Sequence, residues 1–167
     1  MRRFAACLAL VASAAWANDH RGSLGLTLST GGEFVTAIAV AGAGDRGGRI
    51  PIELGATLAL FDRTELRVAG RLEPGLPPLT ILGGSLYAGI RNSFGFERWK
   101  TFFDLDFAAH LAPQLSLGGR VAVGLQYDVL PIMGVYATIG GQLGGFAGLR
   151  LSFEGMVGVQ FRTYLFE

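Results

Sequence analysis

Trp99-Lys100-Thr101-Phe102-Phe103-Asp104-Leu105-Asp106-Phe107-Ala108-Ala109-His110-Leu111 is the stretch on which the reading of the chain turns. Its polar residues Lys100, Asp104, Asp106 and His110 share one parity, while Trp99, Phe103, Leu105, Phe107 and Leu111 share the other. A period of two marks a strand whose two faces meet different surroundings. Ala112-Pro113 supplies a turn, and Gln114 to Asp128 alternates in the same way. A hairpin closed there sets Asp106 opposite Arg120, His110 beside Ser116 and Lys100 beside Gln126. Upstream, Glu65, Arg67, Arg71 and Glu73 again lie on one side, opposite Leu66, Val68 and Leu72. Further alternating runs span Gly22 to Thr30, Glu33 to Ala41, Ile50 to Phe61, Leu79 to Arg91, Gly134 to Leu143, Phe146 to Glu154 and Met156 to Phe166. Gly31-Gly32, Asp62-Arg63, Gly144-Gly145 and Glu154-Gly155 are among the turn-like separators. Together these runs predict one all-β domain of ten antiparallel strands, with eight as the alternative.

Composition narrows the class. Of 167 residues, 50% are hydrophobic and only 16% charged, with 26 glycines, a single lysine and a mean hydropathy of +0.42. Soluble domains carry nearer 25% charge. A net charge of +1 gives no basic field for nucleic acid. Arg2-Arg3, the apolar run Phe4 to Ala14 and the small-x-small triplet Ala15-Trp16-Ala17 form a cleavable export signal over residues 1–17, leaving one domain over 18–167. Cys7, the sole cysteine, lies inside that signal, which removes disulfides, thiolate metal sites and cysteine nucleophiles from the remainder. Neither a metal nor a cofactor is implied. His20 beside Asp19 is too sparse for a metal site, and Gly42 to Gly48 lacks the Gly-Lys-Ser/Thr ending of a phosphate loop.

Alternation alone fits a soluble barrel or sandwich as well as a membrane barrel. The polar parity separates them, because it is filled with small residues such as Gly25, Gly55, Ala69, Gly89, Ala108, Gly118, Gly124 and Gly158. Small residues suit the crowded interior of a narrow barrel and make a poor wet surface. The uncharged apolar side then faces lipid. Phe34, Trp99, Tyr127, Phe153 and Phe161 fall on that side near strand ends, where interfacial girdles sit.

With signal, alternating strands to the end and an aromatic-rich last strand, the chain resembles the small bacterial outer-membrane β-barrels. The resemblance implies an up-and-down transmembrane barrel in the outer membrane of a Gram-negative bacterium, in contact with outer-membrane lipid and with the outer-membrane assembly machinery. That machinery reads a final strand closing on an aromatic. Val157, Val159, Phe161 and Leu165 give the alternation, but Glu167 is last and Phe166 is one place early.

The polar parity turned inward collects Glu53, Glu65, Glu73, Asp104, Asp106, Asp128 and Glu154 against Arg67, Arg71, Arg91, Lys100, Arg120, Arg150 and Arg162. An uncompensated buried charge costs several kcal/mol, so a balanced set predicts a lumen filled by salt bridges. An ion-selective channel would favour one sign. His110 beside Ser116 superficially resembles a nucleophile and its base, yet no oxyanion donor is identifiable and Asp106 is engaged by Arg120. A hydroxyl-bonded histidine at the rim is the expected outcome. The expected role is structural, envelope-anchoring or adhesive, without an enzymatic step; a narrow channel and a lipid-modifying enzyme are the rivals.

Overall fold

A computed structural model describes residues 22–39, 46–77, 81–96, 98–146 and 148–164. The proposed export signal, Leu165 and the chain's last two residues lie outside these. The strands are β1 (Ser23–Ala39), β2 (Gly47–Arg49), β3 (Ile52–Phe61), β4 (Thr64–Pro74), β5 (Leu82–Phe96), β6 (Trp99–Ala112), β7 (Ser116–Leu130), β8 (Met133–Phe146) and β9 (Gly148–Tyr164). Each successive pair from β3 to β9 is antiparallel, and β1 lies between β3 and β9. Pairing of β1 with β9 from Ser23↔Tyr164 to Ala39↔Gly148 closes the sheet on itself.

The closed barrel has eight strands, not ten. Gly31-Gly32 is not a turn: it lies inside β1, directly across from Met156 and Gly155 inside β9. Glu154-Gly155 is likewise mid-strand, and β8 continues through Gly144-Gly145 to Phe146. The physical reason is close backbone approach. A Cβ on Gly31 would meet the carbonyl of Gly155 and come within 2.7 Å of Met156 Cα, whereas one on Gly32 would meet nothing. Gly31 therefore serves the packing of two strands rather than chain reversal. Gly31→Ala is expected to destabilise the barrel by about 1–3 kcal/mol through overpacking. Gly32→Ala is expected to be neutral or slightly stabilising. Urea titration of the reconstituted protein, read by the mobility shift of unheated samples, compares the two.

The short strand β2 continues β3. Glu33↔Arg49 and Thr30↔Ile52 follow one register against β1, and Arg49↔Gly75 keeps that of β3 against β4. The interruption falls at Ile50-Pro51, where proline has no N–H for the ladder. A walk through paired residues, from Leu28 by way of Leu54, Gly70, Leu86, Ala109, Leu117, Gly145 and Leu149, returns to β1 at Ile38, ten residues along. Such a stagger over eight strands requires tilted strands and an interior only wide enough for side chains.

β6 and β7 pair with Asp106 opposite Arg120, His110 opposite Ser116 and Lys100 opposite Gln126. The two ends of the barrel differ. At the end holding Ser23 and Tyr164, two-residue turns at 62–63 and 131–132 join β3 to β4 and β7 to β8, and Phe96 of β5 pairs with Trp99 of β6. The opposite end carries the longer connections 75–81 and 113–115 and the segment between β1 and β2.

Candidate functional site in the lumen

Inward-facing positions are where the charge goes. Glu53, Glu65, Arg67, Arg71, Asp104, Asp106, Arg120, Arg150 and Arg162 are all buried within the barrel, each at most 7% exposed. Glu73, Arg91, Lys100 and Glu154 are buried with them. Asp128 stands near the chain-end mouth with its side chain 14% exposed. Two charges join that were not counted from sequence, Glu33 and Arg49, one acid and one base. Both follow or occupy segments that sequence reads as connections. The unbroken parity from Leu28 to Phe34, and from Arg49 to Glu53, was the available signal for them.

Six of these side chains form a closed ring of alternating sign. Arg67 pairs with Glu53 and with Asp106 (2.5 Å). Glu53 also holds Arg71 (2.6 Å), and Arg71 reaches Glu154. Arg120 completes the circuit, at 2.5 Å from Glu154 and 2.7 Å from Asp106. The members come from β3, β4, β6, β7 and β9, so the ring spans the bore rather than lining one wall. Tyr87 lies beside it, its ring centroid 4.6 Å from the Arg71 guanidinium and 5.4 Å from that of Arg120. Guanidinium suits this position because its planar fork gives several directed donors to more than one carboxylate.

Two polar groups flank the ring. Toward the chain ends, Arg91 grips Asp104 with two bonds of 2.7 and 2.8 Å and stacks 3.9 Å from the centre of Phe102. Phe102 in turn fills the space over Gly124, where a Cβ would collide with its ring. Beyond them Asp128 takes Lys100 at 2.5 Å and Arg162 at 3.3 Å, and Arg162 lies 4.0 Å from Glu65. Toward the loop end, Glu73 accepts from Arg49 (2.9 Å) and Arg150 (3.3 Å), and Arg150 lies 3.8 Å from Glu33.

His110 belongs to this last group and is not at a wet rim; it is 0% exposed. Its hydroxyl partner is Ser85 of β5, 2.5 Å from Nδ1, and not Ser116, whose hydroxyl oxygen makes no hydrogen bond to the protein. Nε2 faces the Gln142 amide, and Ser85 also donates to Glu73 at 2.5 Å. The serine thus spends its proton on a carboxylate, and the histidine is packed on both nitrogens. Nothing in that geometry prepares a nucleophile. Among the described residues, no group of three or more His, Cys, Asp and Glu is disposed to hold a metal ion.

The outer surface is the converse. Every described strand residue that is exposed is uncharged; the exposed charges Asp62, Arg63 and Arg98 sit in turns, and Arg46 lies in a connection. Leu54, Val68, Leu105, Val123, Ile139 and Val157 are each 48–67% exposed. Phe34 faces Phe153 across β1 and β9, and Trp99 packs at a tilt against Tyr127 with centroids 4.8 Å apart. With Phe61, Phe94 and Phe161, the latter pair rings the chain-end side of the barrel in aromatics. Phe94 belongs to β5 and to this ring.

An apolar skin around a charged, side-chain-filled bore is the inverse of a soluble protein. The fold is that of the small outer-membrane β-barrels. The N-terminal β-barrel domain of Pseudomonas aeruginosa OprF superposes with a TM-score of 0.64 over 86% of this chain and 98% of that domain, at 14% identity. Neisserial surface protein A gives 0.61 over 84% and 99% at 16% identity. Ail, the attachment invasion locus protein of Yersinia pestis, gives 0.56 over 86% and 99% at 13% identity. The likeness is one of fold. No family model and no curated protein matches the sequence.

Proposed function

We propose that the protein is an outer-membrane β-barrel with a structural or adhesive role, resident in the outer membrane of a Gram-negative bacterium and neither conducting nor catalytic. One observation carries this reading: the closed ring of Arg67, Glu53, Arg71, Glu154, Arg120 and Asp106 across the bore. Opposite charges are matched within it, so no single sign is left to select and pass an ion. Its members are also held by more than one partner each, so opening a path means breaking several buried pairs together. The enclosure of His110 supports the absence of an enzymatic step. The uncharged outer rows, the aromatic ring and the outer-membrane provenance of the fold neighbours support the location.

Planar-bilayer recording on the refolded protein tests the reading. The expected trace is flat at physiological salt. Reproducible single-channel steps from the unaltered protein would replace this proposal with a narrow channel. Lipid A mass spectra that change when the protein is expressed in a host lacking it would replace it with a lipid-modifying enzyme.

A further inference from the structure

The apolar skin does not stop where the strands do. At the loop end, Leu76 and Ile81 on the β4–β5 connection, Leu115 on the β6–β7 connection and Phe146 at the end of β8 are 42–75% exposed, at three places around the rim. The β4–β5 connection is tied down, with Leu76 N–H donating to Gly48 C=O at 2.9 Å and Gly75 N–H to Ile81 C=O at 3.0 Å. At the chain-end side Asp62, Arg63 and Arg98 bring exposed charge to two of the links, while the third carries Pro131 and the exposed Ile132. Tyr127 marks the aromatic ring on that side. Leu115 follows from it along β7, and at about 3.3 Å per residue and a tilt near 40° the two are roughly 30 Å apart along the barrel axis. The apolar band of such barrels is about 25 Å tall. Leu115 therefore stands only about 5 Å past that band.

We infer that this rim of apolar loop tips is seated in the interfacial layer of the lipid leaflet and is covered by lipid rather than standing in water. The inference rests on the membrane reading above. Lipid is the occupant that fits, because the apolar tips are spread around the rim and continue the outward rows of β4–β5, β6–β7 and β8–β9. A protein partner would need a patch on one side. Among the described residues past the strand ends here, Arg46 alone is charged, which offers no cluster for gripping phosphates; its long stem can reach past apolar surface to water. On this inference the described residues of the rim offer little for a distant partner to hold, which favours the structural role over adhesion.

Site-directed labelling decides it. In a Cys7→Ser background, Leu115→Cys, Phe146→Cys, Arg63→Cys and Val123→Cys are refolded as full chains into dioleoyl phosphatidylcholine vesicles. Heat-shifted mobility identifies the folded fraction. Each cysteine then carries a nitroxide spin label, and collision with oxygen is compared with collision with a water-soluble nickel chelate. Labels at Leu115 and Phe146 are expected to favour oxygen, as at Val123, while the label at Arg63 favours nickel by several-fold. Nickel preference at Leu115 and Phe146, with Val123 still oxygen-favouring, would overturn the inference and leave the membrane reading intact. Nickel preference at Val123 would overturn the membrane reading itself. Protection at Leu115 and Phe146 that vanishes as protein is diluted in lipid would assign the rim to a second copy and overturn the lipid assignment.

Discussion

Asp106→Ala should lower the unfolding free energy by about 3–5 kcal/mol, the cost of leaving buried positive charge without its partner. The effect is expected to be large because Asp106 is shared. It takes Arg67 at 2.5 Å and Arg120 at 2.7 Å, and its loss leaves three guanidiniums facing two carboxylates in the ring. Adding Arg120→Ala restores neutrality and should recover much of the loss. Recovery will be incomplete, since Glu154 then keeps only Arg71 and Arg67 keeps only Glu53 within the ring. Urea midpoints of the single and double variants in lipid vesicles give the coupling, and a coupling near zero would deny the pair its energetic meaning.

The second large effect belongs to the outer face. Val123→Arg or Leu105→Arg places a charge near the middle of the apolar band and should cost about 2–4 kcal/mol. Both residues are half exposed in the isolated barrel, 50% and 48%, so a water-soluble protein would accept the change almost freely. The same substitution at Asp62, in an exposed turn, should cost much less. Refolding yield and urea midpoint in vesicles measure both. Equal tolerance at Val123 and Asp62 would remove lipid from the outer face.

The alternation was legible because each strand meets two media, and side chains such as Asp104 and Leu105 must choose between them. The register of β6 on β7 was legible because the connection at 113–115 is short enough to fix which residues meet. Strand number was not, since a glycine pair reads as a turn unless its neighbours show otherwise. They did: Leu28 and Phe34 keep one parity across Gly31-Gly32, and Phe153 and Val157 keep one across Gly155. A chain reversal has no need to preserve that phase over so many residues.

Which acid meets which base was out of reach for another reason. Arg71 and Glu154 are 83 positions apart and meet only because closure brings β9 round to face β4. His110 shows the same limit at short range. A strand has two neighbours, and the hairpin named only β7, while the hydroxyl that binds His110 comes from β5. Glu33 and Arg49 escaped because each follows a glycine pair, Gly31-Gly32 and Gly47-Gly48, places where sequence suggests a connection.

The route of the ring through the chain has a consequence for biogenesis. Glu154, which receives both Arg71 and Arg120, arrives on the last strand to be made. Until β9 docks on β1, the partly built sheet carries two arginines short of a partner. A half-assembled intermediate is therefore penalised in any apolar medium, and the final docking step repays that penalty at once. Insertion should accordingly be all-or-none, with β9 acting as the latch: chains truncated before Phe153 would be left as substrates for quality-control proteolysis rather than as smaller barrels.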